Sequence, residues 1–436
     1  MLTQSLAALL LVSGAVAPTP GPNKILAADV QVAWTDTTYQ TVRITWTETT
    51  PAPNTIKLER DGMDDVQLGV IAESAPNQLV VEARRLVVSN SPVDIARIVV
   101  NEPTGEVARS AGFDRYIRAV PDPDLSFTAD GSIRWSVPPE PGVDTTPGDP
   151  LDVDQPLRYV PRLRLDELPH TVIDCGEVTL PASTVPSGTI ANRNKPYDLM
   201  LYTVNEWNPN GGLFGGWGHV TASAITLAAP TATAYGTTTT LTGITTGRSI
   251  FQQGMPPACL ETSGSGSGGT VILQARNTST SPWYVVGSTV TKDQGKYTFS
   301  VRNPGAREYR TVIPSRAQGS LAGYGSTSAV RLVRSTTRVM SAKFITPVIT
   351  LGTQPQAYLW VDPAGTQKAA LQFKNASGVW QGITYKTLYA GRGIATFTFN
   401  RLGQTQFRWW VPGSITSTGL TVDPVYSGTF TLTVKS

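Results

Sequence analysis

Residues suited to nucleophilic or acid–base catalysis are few in this 436-residue chain. There are two histidines, His170 and His219, and an alternating Gly-Ser-Gly-Ser-Gly sequence at residues 264–268. A serine hydrolase needs its serine on a sharp strand-to-helix turn, with a histidine within hydrogen-bond reach. The serines of residues 264–268 lie instead in a Gly/Ser tract, residues 263–269, which is typical of a loop. The sequence therefore predicts no serine-hydrolase chemistry.

Metal-dependent and phosphate-dependent chemistry also lack their usual residues. The sequence has no His-x-x-Glu-His, no Cys-x-x-Cys and no P-loop. Glycoside hydrolysis needs only two carboxylates, which are abundant in the N-terminal half, but small β-sandwiches rarely form a deep catalytic cleft. We therefore predict a protein that is not an enzyme and that uses no cofactor, metal or catalytic residue.

Acidic residues are concentrated in a Pro-, Gly- and Asp-rich stretch, residues 138–156, which we expect to be a long loop. The candidates for calcium ligands are Asp144, Asp149, Asp152 and Asp154, with Asp122 and Asp124 at the preceding domain junction. Oxygen-rich loops bind calcium, but this spacing matches no defined calcium loop. Solvated loop acids are the favoured interpretation.

The first candidate for a binding loop is residues 207–217, which contain Trp207, Phe214, Trp217 and four glycines. We expect this loop to join the last two strands of a domain. Aromatic faces stack on sugar rings or anchor protein partners. Two interpretations remain open: the rings are displayed to a ligand, or they cover a neighbouring domain of the same chain.

The second candidate is the pair Trp409 and Trp410. Successive residues of a strand face opposite sides of the sheet, so one ring should enter the core beside Phe407 and the other should point outward. The outward ring is a candidate interface or sugar platform. The alternative is that a neighbouring loop covers it.

Two stretches of the chain repeat each other at an offset of 98 residues. Leu273 corresponds to Leu371, and the same offset relates further aromatic, arginine and proline positions, while the tryptophans Trp283 and Trp380 differ by 97. A nearly gapless offset over so much sequence predicts two copies of one β-rich module. About 100 residues with this strand density fit an immunoglobulin-like sandwich.

The repeated pattern resembles the bacterial immunoglobulin-like modules of secreted actinobacterial proteins. The shared features are Leu-Gln-x-Arg, a tryptophan, Gly-x-Tyr-x-Phe and an aromatic-Arg strand, here at Leu273, Trp283, Gly295, Phe299 and Arg310. The resemblance implies a β-sandwich that serves as a spacer, stalk or adhesive unit.

The N-terminal half resembles fibronectin type III modules. Each of two segments has an early-strand tryptophan, Trp46 or Trp135, and a later strand that begins with a tyrosine, Tyr116 or Tyr197. Residues 60–62, Arg-Asp-Gly, predict a hairpin turn in the first of them.

The predicted fold is all-β, with four tandem immunoglobulin- or fibronectin-like β-sandwiches in an elongated arrangement. The predicted parts are a leader and linker (1–28), the first segment (29–121), the second segment (122–229), the third repeat (230–335) and the fourth repeat (336–436). These names are used below.

The N-terminal residues and the two cysteines indicate the compartment in which the protein is located. Residues 5–17 form an apolar run like the core of a secretory signal, although no Lys or Arg precedes it. The alternative is a segment that packs on a neighbouring subunit. Cys175 and Cys259 could form a disulfide in an oxidising compartment, or they are two buried thiols. We expect secretion, with no membrane span in the mature chain.

Charge is distributed unequally along the chain. Residues 231–436 hold 19 Lys and Arg against 5 Asp and Glu, whereas residues 1–230 hold 16 against 27. This polarity suggests self-association or binding of an anionic polymer, although two unrelated module types would also differ in this way.

We predict a secreted or surface-displayed structural protein, that is, a stalk, fibre or surface-layer component, with no nucleic-acid partner. The alternatives are a cell-wall or glycan-binding adhesin and a virion tail or fibre component.

Overall fold

The computed structural model of the protein describes residues 30–103, 105, 107–139, 146–165, 176–253 and 258–436, with the backbone alone for those between 251 and 260. The predicted leader, His170, Cys175 and Asp144 lie outside the described residues, and so does the side chain of Cys259. The disulfide between the two cysteines therefore stays a prediction.

The described residues are organised in β-strands and separate sheets, which confirms the predicted all-β class. Within them, the only helical elements are two short 3₁₀ turns, Ala83–Leu86 and Asp293–Gly295. Among the described residues, no helix has the length and the hydropathy that a membrane span requires.

Seven strands form two sheets in the first segment. They are β1 (Gln31–Trp34), β2 (Thr41–Thr45), β3 (Asn54–Arg60), β4 (Val66–Ile71), β5 (Gln78–Glu82), β6 (Ala96–Asn101) and β7 (Val107–Arg109). One sheet has the order β1-β2-β5 and the other β4-β3-β6-β7, which is the arrangement of a seven-stranded immunoglobulin-type sandwich. The predicted turn joins β3 to β4, and Gly62 within it has a φ of 74°.

The second segment repeats this arrangement. Its strands are β8 (Asp124–Phe127), β9 (Ile133–Ser136), β10 (Arg158–Leu165), β11 (Gly176–Thr179), β12 (Ser187–Ile190), β13 (Tyr197–Val204) and β14 (Gly216–Ile225). The sheets have the orders β12-β9-β8 and β11-β10-β13-β14. The loop that joins β13 and β14 therefore comprises residues 205–215, and Trp217 lies on β14.

The third repeat contains strands of very different lengths. They are β15 (Ala232–Ala234), β16 (Thr238–Gln253), β17 (Ala258–Ser265), β18 (Thr270–Arg276), β19 (Tyr284–Val290), β20 (Lys296–Arg302), β21 (Arg307–Ile313), β22 (Arg316–Gln318), β23 (Leu321–Tyr324), β24 (Ser326–Thr327) and β25 (Arg331–Thr336). One sheet has the order β15-β25-β21-β18-β19, and the start of β16 pairs with β20 to form the facing layer.

The fourth repeat has the same two layers. Its strands are β26 (Arg338–Phe344), β27 (Val348–Thr350), β28 (Gln356–Asp362), β29 (Gln367–Lys374), β30 (Trp380–Leu388), β31 (Arg392–Thr396), β32 (Gly403–Val411), β33 (Ser414–Ile415), β34 (Thr421–Val422), β35 (Val425–Tyr426) and β36 (Phe430–Lys435). The sheets have the orders β27-β36-β32-β29-β30 and β26-β28-β31.

One sheet of the second segment continues into the third repeat. Strand β14 pairs with the second half of β16 and, in parallel, with β23. Strand β16 in turn pairs with β17 as far as Ser265, so part of the Gly/Ser tract is strand. The prediction that residues 263–269 form a loop is wrong for residues 263–265, because β16 supplies their backbone hydrogen-bond partners.

Buried hydrophobic side chains of the described residues form four clusters, one for each predicted segment or repeat. The strands alternate buried and exposed positions, as in β10 and β18, because one face of each sheet packs on the facing sheet. Some residues cross a predicted boundary: Leu151 and Trp207 of the second segment belong to the cluster of the first, and Ala322 and Tyr324 of the third repeat belong to the cluster of the second.

Candidate binding face and junctions

Trp207 lies in the contact between the first and second segments. Its side chain is 6% exposed, meets the Trp34 ring edge-on at 5.0 Å between centroids, and stacks on Phe113 at 6.3 Å. A ligand cannot reach the ring in this position. Trp207 is therefore an anchor within the chain, and the hypothesis that it contacts a ligand is withdrawn.

Phe214 and Trp217 do not pack beside Trp207 against Trp34 and Phe113. Phe214 is exposed on the loop, whereas Trp217 is half-buried on β14, where the Arg164 guanidinium carbon lies 5.0 Å from its ring centre. The loop is also tied down at this end. The Val120 amide donates to the Phe214 carbonyl and the Trp217 amide donates to Asp122 Oδ1, each at 2.8 Å. The three rings of the loop are therefore not displayed together.

Two of the predicted acids meet a third carboxylate that the sequence did not single out. Oxygens of Asp114, Asp149 and Asp152 lie within 4.8 Å of one another. The Asp149 carboxylate accepts the backbone amides of Asp114 at 2.9 Å, Leu151 at 2.7 Å and Asp152 at 2.9 Å. The bond from Asp114 joins the loop of the second segment to the first segment, and the other two order the loop itself, so Asp149 is a structural acceptor rather than a solvated acid.

Glu206 lies beside this group and is electrostatically unusual. Burial, together with the charges of the three neighbouring aspartates, raises the pKa of its carboxyl to about 7. A proton therefore binds at the junction between the first and second segments over a pH range in which ordinary carboxyls are ionised.

Trp409 and Trp410 face opposite sides of β32, as expected for adjacent strand residues. Trp409 is fully buried in the cluster that also contains Phe407. Trp410 is partly exposed on the outer face of the sheet. Of the two, only Trp410 can meet a ligand, and Trp409 is a core residue.

Trp410 belongs to a cross-strand row of aromatic residues on the fourth repeat. Ala370 on β29 pairs with Tyr385 on β30 and with Trp410 on β32, and Trp410 pairs with Tyr426 on β35. Tyr385 is 64% exposed and Tyr426 is 51% exposed, while the small side chain of Ala370 between the rings is buried. We call Tyr385, Ala370, Trp410 and Tyr426 the aromatic row.

Cationic side chains flank the aromatic row. The Arg408 guanidinium carbon lies 4.4 Å from the centre of Trp380 and 3.9 Å from that of Tyr426, and Arg408 Nε donates to Gln372 Oε1 at 2.8 Å. At the other end, Lys368 Nζ lies 5.2 Å from the centre of Tyr385. Cations over ring faces are attracted by the ring quadrupole, so these contacts hold the rings in place.

The third repeat keeps the arginine stack but not the row. Arg310 lies over Trp283 at 4.3 Å and donates to Gln274 Oε1 at 2.7 Å. The positions that correspond to the aromatic row are Ser288, Ile272, Val312 and Thr327, as the strand pairings show. The stack is thus common to both repeats, and the aromatic row belongs to the fourth.

Corresponding clefts lie at the two ends of the third repeat. The cleft toward the second segment has a volume of about 380 Å³ and includes Thr270 and Pro314. The cleft toward the fourth repeat has a volume of about 850 Å³ and includes Lys368 and Pro412, each 98 residues later. Gln367, which is 8% exposed, lines the larger cleft, and its Oε1 has no hydrogen-bond partner among the described residues.

His219, the one histidine in the described residues, lines the smaller cleft. Its Nδ1 lies 2.9 Å from Asp198 Oδ1 on the neighbouring strand β13. This is a surface pair between adjacent strands.

Comparison with protein-family models gave no match, and comparison with curated proteins gave no significant match. Among solved structures, the chain is similar to the tetra-tandem repeat in the extending region of a large adhesion protein, with 13% identity and a TM-score of 0.27, over 92% of this chain and 98% of that one.

Two further solved structures show the same level of similarity. The three N-terminal domains of the bacteriophage RB49 Highly Immunogenic Outer Capsid protein give 11% identity and a TM-score of 0.25, over 72% of this chain and 98% of that one. The FN1–FN3 domains of chicken CNTN1 give 10% identity and a TM-score of 0.18, over 95% and 98%. Superposition at this level supports no functional argument.

Sequence reasoning missed Tyr385 and Tyr426. Each lies on a different strand, and only the cross-strand register brings them level with Trp410. The signal that could have found them is the repeat itself, because the corresponding positions of the third repeat, Ser288 and Thr327, are not aromatic.

Proposed function

We propose that this chain is a secreted or surface-displayed, non-enzymatic structural protein that acts as a stiff spacer in a stalk, fibre or surface layer. It consists of four β-sandwich units with the predicted boundaries. A virion tail or fibre component would use the same architecture. The observation that carries the proposal is a hairpin in each repeat that clasps the preceding unit.

In the third repeat this hairpin is formed by β22 and β23. Strand β23 pairs in parallel with β14 of the second segment, from His219–Leu321 to Ala222–Tyr324. Tyr324, which is 3% exposed, enters the buried cluster of the second segment and meets Phe127 edge-on at 5.4 Å. Main-chain hydrogen bonds and a buried ring therefore join the two units.

In the fourth repeat the corresponding hairpin is formed by β33 and β34, 98 residues later. The Ala306 amide donates to the Thr421 carbonyl at 2.8 Å, and the Asp423 amide donates to the Ser335 carbonyl at 2.7 Å. Leu420 is 4% exposed and packs so closely on Gly305 that a Cβ there would overlap it. We call residues 314–325 and 412–424 the junction hairpins.

Both junction hairpins replace a free linker with a packed contact. Domains joined by an exposed linker move relative to each other by default, whereas paired strands and buried side chains restrict that motion. The junction between the first and second segments is closed differently, by Trp207 and by the loop that contains Leu151. A chain with three closed junctions suits a role as a spacer.

Small-angle X-ray scattering on the full chain tests this proposal. We expect one extended shape whose maximum dimension does not change with salt. Leu420→Ala, which removes buried contact at the last junction, should increase the spread of shapes, whereas Ser417→Ala at the exposed tip of the same hairpin should not. A wild-type profile that requires a broad mixture of shapes, or a compact particle, would contradict it.

Association of the acidic N-terminal half with the basic C-terminal half of another molecule is a separate proposal about the partner. Opposite surface charges attract at low ionic strength and are screened at high ionic strength. The full chain should then form large species at low salt that dissociate at high salt in light scattering. A monomer under both conditions would leave the spacer role intact and remove self-association.

A further inference from the structure

The fourth repeat presents an outward aromatic surface that the spacer role does not need. Its row contains three large rings, of which Tyr385 and Tyr426 are more than half exposed, on a sheet whose other face already forms the core. Exposed apolar side chains are ordinary when scattered, but a contiguous group marks an interaction site.

We propose that the aromatic row and the cationic side chains around it bind a linear anionic polysaccharide. The row supplies flat ring faces that match the apolar faces of sugar rings. Lys368 and Arg408 lie at its two ends, where they can meet carboxylate or sulfate groups.

The charge of the repeat fits a negative ligand. Residues 336–436 contain only two acidic residues, Asp362 and Asp423. Asp423 is already paired with Arg334 at 2.8 Å, and Asp362 lines the cleft beside Tyr235. Neither belongs to strands β29, β30, β32 or β35, which carry the aromatic row.

The spacing of the rings fits an extended chain of sugars. Tyr385 and Trp410 lie on strands that are two positions apart, so roughly 10 Å separates their backbones. That is comparable to the length of one disaccharide unit in an extended polysaccharide. Ala370, on the strand between them, has only a methyl side chain, so no long side chain separates the two rings.

The row ends near a cleft that is suited to sugar hydroxyls. Lys368 lies both over the Tyr385 ring and in the wall of the 850 Å³ cleft. In the same wall, the Oε1 atom of Gln367 and the Oγ atom of Ser414 are buried and have no hydrogen-bond partner among the described residues. Buried polar atoms of this kind are normally satisfied, and hydroxyl groups of a ligand would satisfy them.

The third repeat shows that the row is not required by the fold. Its Ser288, Ile272, Val312 and Thr327 occupy the same register with no ring, while the arginine stack beside them is kept. The third repeat is therefore an internal control for the test.

Affinity electrophoresis of the full chain tests the proposal, with carboxymethylcellulose, neutral hydroxyethylcellulose or poly(dT) in the gel. We expect retardation by carboxymethylcellulose that weakens with salt. Tyr385→Ala and Trp410→Ala should each weaken it about tenfold, because each removes one stacking platform. Val312→Ala, at the position in the third repeat that corresponds to Trp410, should leave retardation unchanged.

The opposite results would overturn the proposal. The first such result is that carboxymethylcellulose does not retard the wild-type chain. The second is that hydroxyethylcellulose retards it equally or that poly(dT) retards it more strongly. The third is that Val312→Ala loses as much retardation as Trp410→Ala. Thermal unfolding checks that the variants fold, and Tyr385→Ala remains informative if Trp410→Ala does not fold, because Tyr385 is 64% exposed. Sedimentation that revealed a dimer abolished by Trp410→Ala would assign the face to a second copy of the chain and also overturn the proposal.

Discussion

The third and fourth repeats share one scaffold but exchange large and small residues within their cores. In the third repeat Tyr297 on β20 contacts Thr311 on β21, with 2.8 Å between the hydroxyl oxygens. At the corresponding positions of the fourth repeat, Ala395 is the small residue and Trp409 is the large one, and both are buried. The large ring thus comes from opposite sheets in the two copies, so this pair of positions keeps one large and one small residue while the identity of each position changes.

The two repeats also differ in how they meet the preceding unit. In the third repeat, β16 and β17 form a long hairpin that extends the sheet of the second segment. In the fourth repeat, β28 and β29, which correspond to β16 and β18, are separated by residues 363–366 only. The junction between the second segment and the third repeat therefore has more strand pairing than the junction between the repeats, while the junction hairpin is common to both.

The largest effect should come from the core exchange. Trp409→Ala leaves a cavity and should destabilise the fourth repeat by about 4 kcal/mol. Thr311→Ala in the third repeat removes one buried hydroxyl and should cost only about 1 kcal/mol. The measurement is the midpoint of each transition in calorimetric unfolding of the full chain.

The same comparison can be made sharper with a double substitution. Trp409→Thr together with Ala395→Tyr recreates the arrangement of the third repeat in the fourth. The double variant should recover part of the stability lost in Trp409→Thr alone, because the new tyrosine ring would fill space that the tryptophan ring had occupied. Strictly additive losses would show that the exchange between repeats is coincidental.

A smaller effect on stability should come from Glu206, at the acidic junction between the first and second segments. The folded-state pKa of Glu206 is about 7, above its ordinary value of 4.5, so the folded state binds more protons between these two pH values. Stability should therefore fall as pH rises from about 4.5 to about 7, by up to about 3 kcal/mol.

Substitution of the carboxyl isolates this contribution. Glu206→Gln should be more stable than the wild type at pH 8 and about equally stable at pH 4, whereas Glu73→Gln, at an exposed turn, should keep the wild-type pH profile. Denaturant unfolding at the two pH values measures the difference. An unchanged profile in Glu206→Gln would assign the pH dependence to other groups.

The smallest effect should come from the arginine stacks. Arg408 lies over two rings, Trp380 and Tyr426, whereas Arg310 lies over Trp283, which it shares with Arg276. Arg408→Met should lower the stability of the fourth repeat by about 1 kcal/mol, and Arg310→Met should lower that of the third by about half as much. Thermal unfolding of the two variants ranks them, and a larger loss in Arg310→Met would reverse the comparison.

Several features followed from the sequence because they depend on local pattern. The 98-residue offset and the alternation around Phe407 predicted two β-rich copies and opposite orientations for Trp409 and Trp410. The hairpin at residues 60–62 followed from its turn residues. In each case the determining information lies within one strand or one turn.

Other features depended on contacts between distant parts of the chain. Trp207 is buried by Trp34, and Asp149 meets Asp114, because loops of the second segment pack on the first segment. The aromatic row depends on the register of four strands, and the Gly/Ser tract is partly strand because β16 pairs with it. Strand pairing between distant segments overrides the local preference of a Gly/Ser sequence.

The most direct test of the closed junctions is the distance between the third and fourth repeats in solution. Val285→Cys and Val379→Cys place spin labels at exposed positions, with Cys175→Ser and Cys259→Ser to remove the native thiols. Double electron–electron resonance on the full chain should give one narrow distance distribution. Gly305→Ala, which sets a Cβ against Leu420, should broaden it. A distribution that is already broad without Gly305→Ala would contradict a junction closed by the hairpin.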